Sequence, residues 1–305
     1  MYNGIINVYK ESGFTSFDVV AKLRGILKQK KIGHTGTLDP DAEGVLVVCL
    51  GKATKLCDIL TDKDKCYTAT LLLGRTTDTE DSSGRILTEN EVNVTKEDVV
   101  DAVSSFVGEY DQIPPMYSAI KVNGKRLYEL AREGIEIERV PRRVVIHKID
   151  IVSIQLPYVT FRISCGKGTY IRSLCRDIGE KLGCGGIMDK LVRDSVNATE
   201  TGKTFALQDS LTLKQIEAMV KAGQLEQCMI PVDEMFPKLA GYRVNENGNK
   251  KLYNGNLLVS GDFTTEYVEE AEGKKCLVYD KEGQFTAVYQ YHEKLQAWKA
   301  DKMFI

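Results

Sequence analysis

Several common kinds of site are missing from this chain of 305 residues. It has three histidines, and none of its eight cysteines is spaced as C-x-x-C, so neither a zinc site nor a thiol-exchange motif is expected. No apolar run is as long as a membrane span, and the N-terminus lacks the apolar core of a signal peptide. Phosphate-loop and dinucleotide fingerprints are absent from their proper contexts. We therefore expect free thiols in a cytoplasmic protein that uses no nucleotide cofactor.

The composition is that of an ordinary globular protein. Hydrophobic residues make up 43% and charged residues 28% of the chain. Lysine and arginine total 41 against 43 acidic residues, which gives a formal net charge of −2. This balance does not indicate a nucleic-acid binder, although a local basic face can still contact phosphates. The length suits about two domains.

The residue patterns mix strands and helices without a regular β-α-β alternation, which favours an α+β fold. Residues 238–305 consist of short strand patterns separated by glycine-containing turns, which predicts a small all-β module. We expect one domain over residues 1–235 and a second over 236–305. Strands are predicted at 3–8, 45–50, 66–73, 143–154 and 158–165, and helices after a Ser16 cap, at 53–60, from Thr95 to Phe106, from Tyr170 to Leu182, and at 211–222 after a Ser210 cap.

The segment GHTGTLDPDAEG, residues 33–44, is the most unusual in the chain. Its glycines and its proline predict a loop rather than a regular element. Asp39 precedes Pro40, which favours an extended Asp39 and a tight turn, so a purely structural aspartate is one interpretation. Polar side chains between glycines also suit a loop that approaches a ligand closely. The local sequence leaves both interpretations open.

The longer segment GHTGTLDPDAEGVLVVCLGKATKL closely resembles the signature loop of the tRNA pseudouridine-55 synthases, the TruB family. Four more segments resemble the same family in the same order, and the matches cover most of residues 5–200. They are KESGFTS (10–16), KCYTATLLLGRTTDTED (65–81), QIPPMYSAIKVNGKRLYELAREG (112–134) and GKGTYIRSLCR (166–176). The chain departs from the family pattern at Glu11, Val47, Val192 and Asn197.

The resemblance implies a fold and a reaction. The fold would be that of the pseudouridine synthases, with a mixed, mainly antiparallel central sheet flanked by helices and a C-terminal RNA-binding domain of PUA type. The reaction would isomerise the T-loop uridine at position 55 of tRNA, by breaking the bond from N1 to the ribose and rejoining the uracil through C5. This chemistry has no net redox change and no leaving group, so no cofactor and no metal are implied. The expected partner is the T-arm stem-loop of tRNA, bound by a monomer, with no role for DNA or a membrane.

The resemblance also assigns roles to residues of this chain. Asp39 matches the catalytic aspartate, and Arg172 matches the arginine that pairs with it, which we expect to lower the pKa of Asp39. Tyr67 matches the tyrosine that lies against the flipped target base. Four further residues resemble substrate-binding positions of the family, namely His34 for the flipped RNA loop, Tyr170 and Leu191 for the pocket, and Lys10 for support of the site or a phosphate contact.

Two other functions are compatible with parts of the pattern. A non-catalytic tRNA-binding or folding factor would use the same RNA surface. An unrelated hydrolase would use Asp39 and Glu43 as a pair of carboxylates. Loss of turnover with retained RNA binding in an Asp39→Ala protein would separate catalysis from binding, whereas the hydrolase would turn over a small substrate without RNA.

Overall fold

The computed structural model describes residues 1–122, 124–198, 201–265 and 267–305. The strands in these ranges are β1 (Gly4–Lys10), β2 (Ile32–His34), β3 (Glu43–Leu50), β4 (Asp64–Leu73), β5 (Arg75–Thr77), β6 (Ile86–Glu89), β7 (Gly108–Gln112), β8 (Lys121–Val122), β9 (Lys125–Arg126), β10 (Arg142–Gln155), β11 (Tyr158–Cys165), β12 (Gly186–Ala198), β13 (Lys203–Ala206), β14 (Ala240–Arg243), β15 (Lys275–Tyr279), β16 (Phe285–His292) and β17 (Ala297–Met303). The helices are α1 (Ser16–Leu27), α2 (Cys57–Thr61), α3 (Lys96–Ser104), α4 (Leu127–Arg132), α5 (Ile171–Lys181), α6 (Leu213–Ala222) and α7 (Glu246–Tyr253).

A large central sheet positions the site. Within the described ranges it has nine strands, in the order β1-β3-β12-β4-β11-β10-β7, with β2 added to β3 and β13 added to β12. Neighbouring strands are antiparallel except β3 and β12, which run parallel. The sheet is therefore mixed and mainly antiparallel, so the predicted α+β fold class is confirmed. The strand β12 lies in the middle, between the strand that follows the Asp39 loop and the strand that carries Tyr67.

The C-terminal region forms a separate four-stranded sheet in the order β14-β15-β16-β17, which confirms the predicted β module. It also contains α7, a helix that the sequence analysis did not predict, capped by the Asn245 side chain. One apolar cluster joins this sheet to the central sheet, because Phe304 and Val288 pack in the same cluster as Ile5 and Val45. The division of the chain at residues 235 and 236 stays a prediction. No helix in the described part of the chain is long and apolar enough to cross a membrane.

Two predicted helix caps are wrong by one or two residues. Thr15, not Ser16, caps α1, and Thr212, not Ser210, caps α6. Both threonines form a reciprocal capping box with the residue three positions later, which satisfies two backbone N–H groups at once. Ser16 does not cap the helix; its hydroxyl instead accepts a hydrogen bond from the Leu38 N–H at 2.9 Å.

Two other local predictions need correction. Residues 53–60 do not form one helix: Gly51–Leu56 is a 3-10 helix and Cys57–Thr61 a short α-helix. The predicted loop at 33–44 is shorter, since β2 extends to His34 and β3 begins at Glu43. The predictions for the long strands β10 and β11, and for the helices α3 and α5, are confirmed within two residues at each end.

Candidate active site

The segment between β2 and β3 carries Asp39, and hydrogen bonds from the Lys10 side chain hold its backbone. The Lys10 side chain is fully buried, and its Nζ donates to the carbonyl oxygens of Ala42 at 2.5 Å, Pro40 at 2.9 Å and Glu11 at 3.2 Å. Burial lowers the pKa of Lys10 to about 8. With its three donors directed at backbone oxygens, this ammonium supports the loop. The predicted phosphate contact of Lys10 stays a prediction.

Two further contacts fix the start and end of the turn at Asp39. The Ser16 hydroxyl accepts from the Leu38 N–H, which anchors the loop to the first turn of α1. The Ala42 N–H donates to the Asp39 carbonyl at 3.2 Å and closes a tight turn around Pro40. The turn predicted from the Asp-Pro pair is therefore present. Because the backbone on both sides of Asp39 is bonded, the carboxylate projects from a rigid loop.

Asp39 forms a two-point ion pair with Arg172 on α5. Arg172 Nε lies 3.0 Å from Asp39 Oδ2, and Nη2 donates to Oδ1 at 3.2 Å. The Arg172 side chain is only 6% exposed, and its remaining donors contact the carbonyl oxygens of Thr79 at 3.0 Å and Tyr117 at 2.9 Å. A guanidinium held at both edges cannot rotate away, so it sets the orientation of the carboxylate.

The pKa of Asp39 is raised rather than lowered, contrary to the expectation from Arg172 alone. Burial is the main cause, and the Arg172 guanidinium acts in the opposite direction. The neighbouring Asp81 also raises the pKa of Asp39, since two negative charges repel each other. Asp39 is thus a carboxylate whose ionised form depends on its arginine partner.

An acidic loop that the sequence analysis did not single out supports the arginine from the other side. Asp81 Oδ2 lies 3.5 Å from Arg172 Nη1. The preceding residue, Glu80, is buried and takes a left-handed backbone angle of φ 64°, which is uncommon for a residue other than glycine. Its carboxylate accepts from the Ser173 hydroxyl at 2.6 Å and pairs with Arg176, so α5 holds the loop in this conformation.

Tyr67 and Leu191 line the same side of the sheet. Tyr67 on β4 is 8% exposed, and Leu191 on β12 lies opposite Ala69, two residues further along β4. Side chains two residues apart on a strand point to one face, so the three pack in one cluster with Leu38 of the Asp39 loop. The structure therefore brings these two predicted site residues to the loop that carries Asp39.

Arg193 is a functional candidate that the sequence analysis missed as a site residue. It lies directly opposite Tyr67 on the neighbouring strand and is 1% exposed. Its Nε donates to the Val45 carbonyl at 2.6 Å, and its Nη2 donates to the Gly36 carbonyl at 3.2 Å. The signal that could have found it is its spacing, because Arg193 follows Leu191 by two residues and so shares its face of the strand.

His34 stands at the end of β2, where the Asp39 loop begins. Its Nδ1 accepts from the Gly36 N–H at 3.4 Å, which leaves Nε2 as the protonated nitrogen of the neutral ring. Burial, with the nearby charge of Arg193, lowers the pKa of His34. The imidazole is therefore neutral near pH 7 and half-buried at the edge of the loop, and its predicted role towards RNA stays a prediction.

Tyr170 lies at the N-cap of α5, two residues before Arg172. Its backbone N–H donates to Gln112 Oε1 at 2.9 Å, and Gln112 Nε2 donates to the Tyr170 carbonyl at 3.0 Å. This reciprocal pair fixes the start of α5 against β7. Burial raises the pKa of the half-buried Tyr170. Its assignment to the pocket stays a prediction.

The arrangement combines a carboxylate on a rigid loop, a buried arginine that pairs with this carboxylate, and an aromatic ring that carries a hydroxyl. Glu43, the second carboxylate of the alternative hydrolase, accepts from the Tyr9 hydroxyl at 2.9 Å instead of pairing with Asp39. In the residues that the structure describes, no group of three or more histidine, cysteine, aspartate or glutamate side chains is placed to hold a metal ion. The groups present can supply a nucleophile or base, a cation that orients it and a surface for a flat base.

Comparisons with known proteins identify the family. The profile of the TruB family pseudouridylate synthase (N terminal domain) matches residues 24–171, and that of the tRNA pseudouridylate synthase B C-terminal domain matches residues 172–237. A protein of Lachnoclostridium phytofermentans named tRNA pseudouridine synthase B is 56% identical over 99% of this chain and all of its own length. The protein of the same name from Clostridium perfringens strain 13 is 42% identical over 99% of each chain.

A solved structure shares the fold. A chain in the crystal structure of a Cbf5-Nop10-Gar1 complex superposes with a TM-score of 0.67 and 25% identity, covering 99% of this chain and 85% of the other. The fold and the site thus define a pseudouridine synthase, an isomerase. The chain belongs to the TruB family of pseudouridylate synthases.

Proposed function

We propose that the chain isomerises the T-loop uridine at position 55 of tRNA to pseudouridine. The observation that carries the proposal is the two-point ion pair of Asp39 and Arg172 on a rigid loop beside Tyr67. The relatives named tRNA pseudouridine synthase B match nearly the whole chain, which supports tRNA as the substrate. A cytoplasmic location and binding of the T arm by a single copy of the chain belong to the same proposal.

The reaction needs four changes at the target nucleotide. The bond from N1 to C1′ breaks, a bond from C5 to C1′ forms, the proton on C5 leaves, and N1 takes up a proton. A stacked uridine cannot present these atoms to Asp39, so the base must leave the RNA stack. The Asp39 carboxylate then acts as nucleophile or base next to the ribose, while Arg172 keeps it ionised and oriented.

The remaining residues of the site hold the base and the RNA. The Tyr67 ring and the Leu191 side chain offer an apolar surface on which a flipped uracil can lie. His34 stands at the rim, where we place the displaced RNA loop. We further propose that residues 236–305 form a separate RNA-binding domain of PUA type.

Release of tritium from C5 tests the proposal. A T-arm stem-loop RNA with tritium at C5 of the target uridine is mixed with the native chain and with Asp39→Asn, without added metal or nucleotide. We expect release by the native chain and none above background with Asp39→Asn, while both bind the RNA. Salt-sensitive binding without release by the native chain would instead favour a non-catalytic tRNA-binding factor, or a different target uridine.

A further inference from the structure

Arg193 is a buried cation without an acidic partner among the residues that the structure describes. Its guanidinium donates to two backbone carbonyl oxygens, those of Val45 and Gly36. Arginine stays charged in proteins, and a buried charge is unfavourable unless hydrogen bonds and a counter-charge compensate for it. The Arg172 guanidinium, by contrast, has Asp39 and Asp81 beside it. Something other than an ordinary ion pair therefore keeps Arg193 in place.

The polar group next to Arg193 is the Tyr67 hydroxyl. The two residues are directly opposite on β12 and β4, so their side chains share one face of the sheet. The Arg193 guanidinium acts on the Tyr67 phenol from the neighbouring strand, and its charge lowers the pKa of Tyr67. Its Nη1 lies 3.5 Å from the point that a Cβ atom on residue 36 would occupy. Glycine at position 36 thus leaves room for the guanidinium between the Asp39 loop and Tyr67.

We propose that Arg193 is a positioning residue for Tyr67, whose buried guanidinium holds the phenol oxygen in place and stabilises negative charge on it. This inference rests on the proposed function, because it concerns the tyrosine on which the target base would lie. A phenol oxygen that accepts from a guanidinium keeps its own proton free to point elsewhere. Tyr67 can then exchange a proton with a base in the pocket, a task that the ring alone cannot perform.

The surrounding charges agree with this role. The pKa of Tyr67 is raised to about 12, mainly by burial; Cys165 and Asp39 also raise it, and Arg193 is the cation that lowers it. On its other sides Arg193 faces His34, Lys10 and Lys65, and its charge contributes to lowering the pKa of each. Removal of the Arg193 charge should therefore raise the pKa of Tyr67.

The direct test replaces residue 67 alone by a tetrafluorotyrosine, whose phenol ionises several units below that of tyrosine, and follows its ionisation by fluorine NMR in the full-length chain over the pH range in which the chain stays folded. We expect the apparent pKa of residue 67 to rise by about one to three units in Arg193→Met, as expected for loss of a nearby opposite charge. Arg193→Gln, which keeps a donor without the charge, should show a rise of similar size. Arg162→Met is the matched control, because Arg162 lies on β11, is mostly exposed and contacts Asp194. This variant should leave the apparent pKa of residue 67 unchanged.

An unchanged pKa of residue 67 in a folded Arg193→Met or Arg193→Gln protein would overturn the proposal. If neither folds, Arg193→Lys decides, since it retains a buried cation but cannot reproduce the planar set of donors. We then expect a smaller rise in the pKa of residue 67 and slower tritium release, and no change in either would overturn the proposal. The NMR readout needs no turnover, so failure of the proposed RNA substrate would show separately, as absent tritium release by the native chain.

Discussion

The site has two sides, and each contains a buried arginine with a different kind of partner. On the α5 side, Arg172 lies against two carboxylates, those of Asp39 and Asp81. On the β12 side, Arg193 donates to two backbone carbonyl oxygens and lies opposite Tyr67. The first side has one positive and two negative charges, whereas the second has a positive charge without an acidic partner among the residues that the structure describes.

The difference shows how two buried arginines in one fold act on two different groups, the Asp39 carboxyl and the Tyr67 phenol. A carboxylate beside a guanidinium is kept ionised and oriented although burial opposes its charge. A phenol beside a guanidinium stays neutral near pH 7, but its ionised form becomes easier to reach. The following changes test the two sides separately.

The largest effect is expected from Arg172→Met, which leaves the half-buried Asp39 without its partner. The pKa of Asp39 should rise further and its orientation should be lost, so the rate of tritium release at pH 7 should fall about 10³-fold. The free energy of unfolding should fall by about 2 kcal/mol, less than for a fully buried pair, since 36% of the Asp39 side chain is exposed. Single-turnover rates and urea unfolding measure the two effects.

The pH profile of the same variant sharpens the comparison. If Arg172 acts by keeping Asp39 ionised, the residual activity of Arg172→Met should increase at higher pH, where the carboxyl ionises unaided. The double variant Arg172→Met with Asp39→Asn should recover part of the lost stability above the raised pKa of Asp39, where the carboxyl is ionised without its partner. A flat profile would mean that Arg172 orients the site without controlling its ionisation.

Tyr67→Phe tests the β12 side and should have the second-largest effect. The variant keeps the ring for the target base but removes the oxygen that Arg193 holds. We expect the rate of tritium release to fall about 10²-fold while RNA affinity stays near the native value, since proton transfer is lost and stacking is kept. Filter binding of the same stem-loop provides the affinity. A native rate in Tyr67→Phe would limit the role of the residue to packing.

The sequence predicted one buried arginine of the site, Arg172, and missed the other, Arg193. Asp39, Tyr67 and Arg172 stand in motifs that resemble a known family, and the structure places all three around one loop. Arg193 was not singled out, although the neighbouring Val192 was noted as a departure from the family pattern. A family resemblance assigns a role to a residue only where a recognised motif includes it.

The central strand β12 was missed for a physical reason. Its pairing with β4 has two register shifts, between Met188 and Lys190 and between Arg193 and Ser195. Each shift adds a residue that breaks the alternation of buried and exposed side chains, which is the pattern that predicts a strand. The helix α7 was missed because Gly248 and two asparagines make its sequence look like a turn, although Gly248 is needed for its close approach to Asp262.

Asp81→Asn should have a smaller effect on the α5 side, with two consequences of opposite direction. Loss of the second carboxylate loosens Arg172, so the rate of tritium release at pH 7 should fall about tenfold. Loss of its negative charge also removes one cause of the raised pKa of Asp39, so the acid limb of the pH profile should move to lower pH. A shift of that limb to higher pH would contradict the arrangement of charges around Arg172.

The smallest effect on activity is expected from Lys10→Met, which removes the three hydrogen bonds from the Lys10 ammonium to backbone carbonyl oxygens. The Asp39 loop keeps its contacts to Ser16, so we expect only about a threefold slower reaction. Stability should respond more clearly to pH. The pKa of Lys10 is about 8 in the folded chain against its ordinary value of 10.5, so between these values the unfolded chain binds more protons.

Because of this difference, the contribution of Lys10 to folding becomes more favourable as pH rises from 8 to 10.5. The free energy of unfolding of the native chain, minus that of Lys10→Met, should therefore increase by about 2 kcal/mol across this window. The subtraction removes the titration of groups that both proteins share, and urea unfolding at a series of pH values measures it. A difference that decreases with pH would show that the three carbonyl oxygens stabilise the ammonium more than burial destabilises it, and Lys10 would then resemble the compensated Arg172 rather than the uncompensated Arg193.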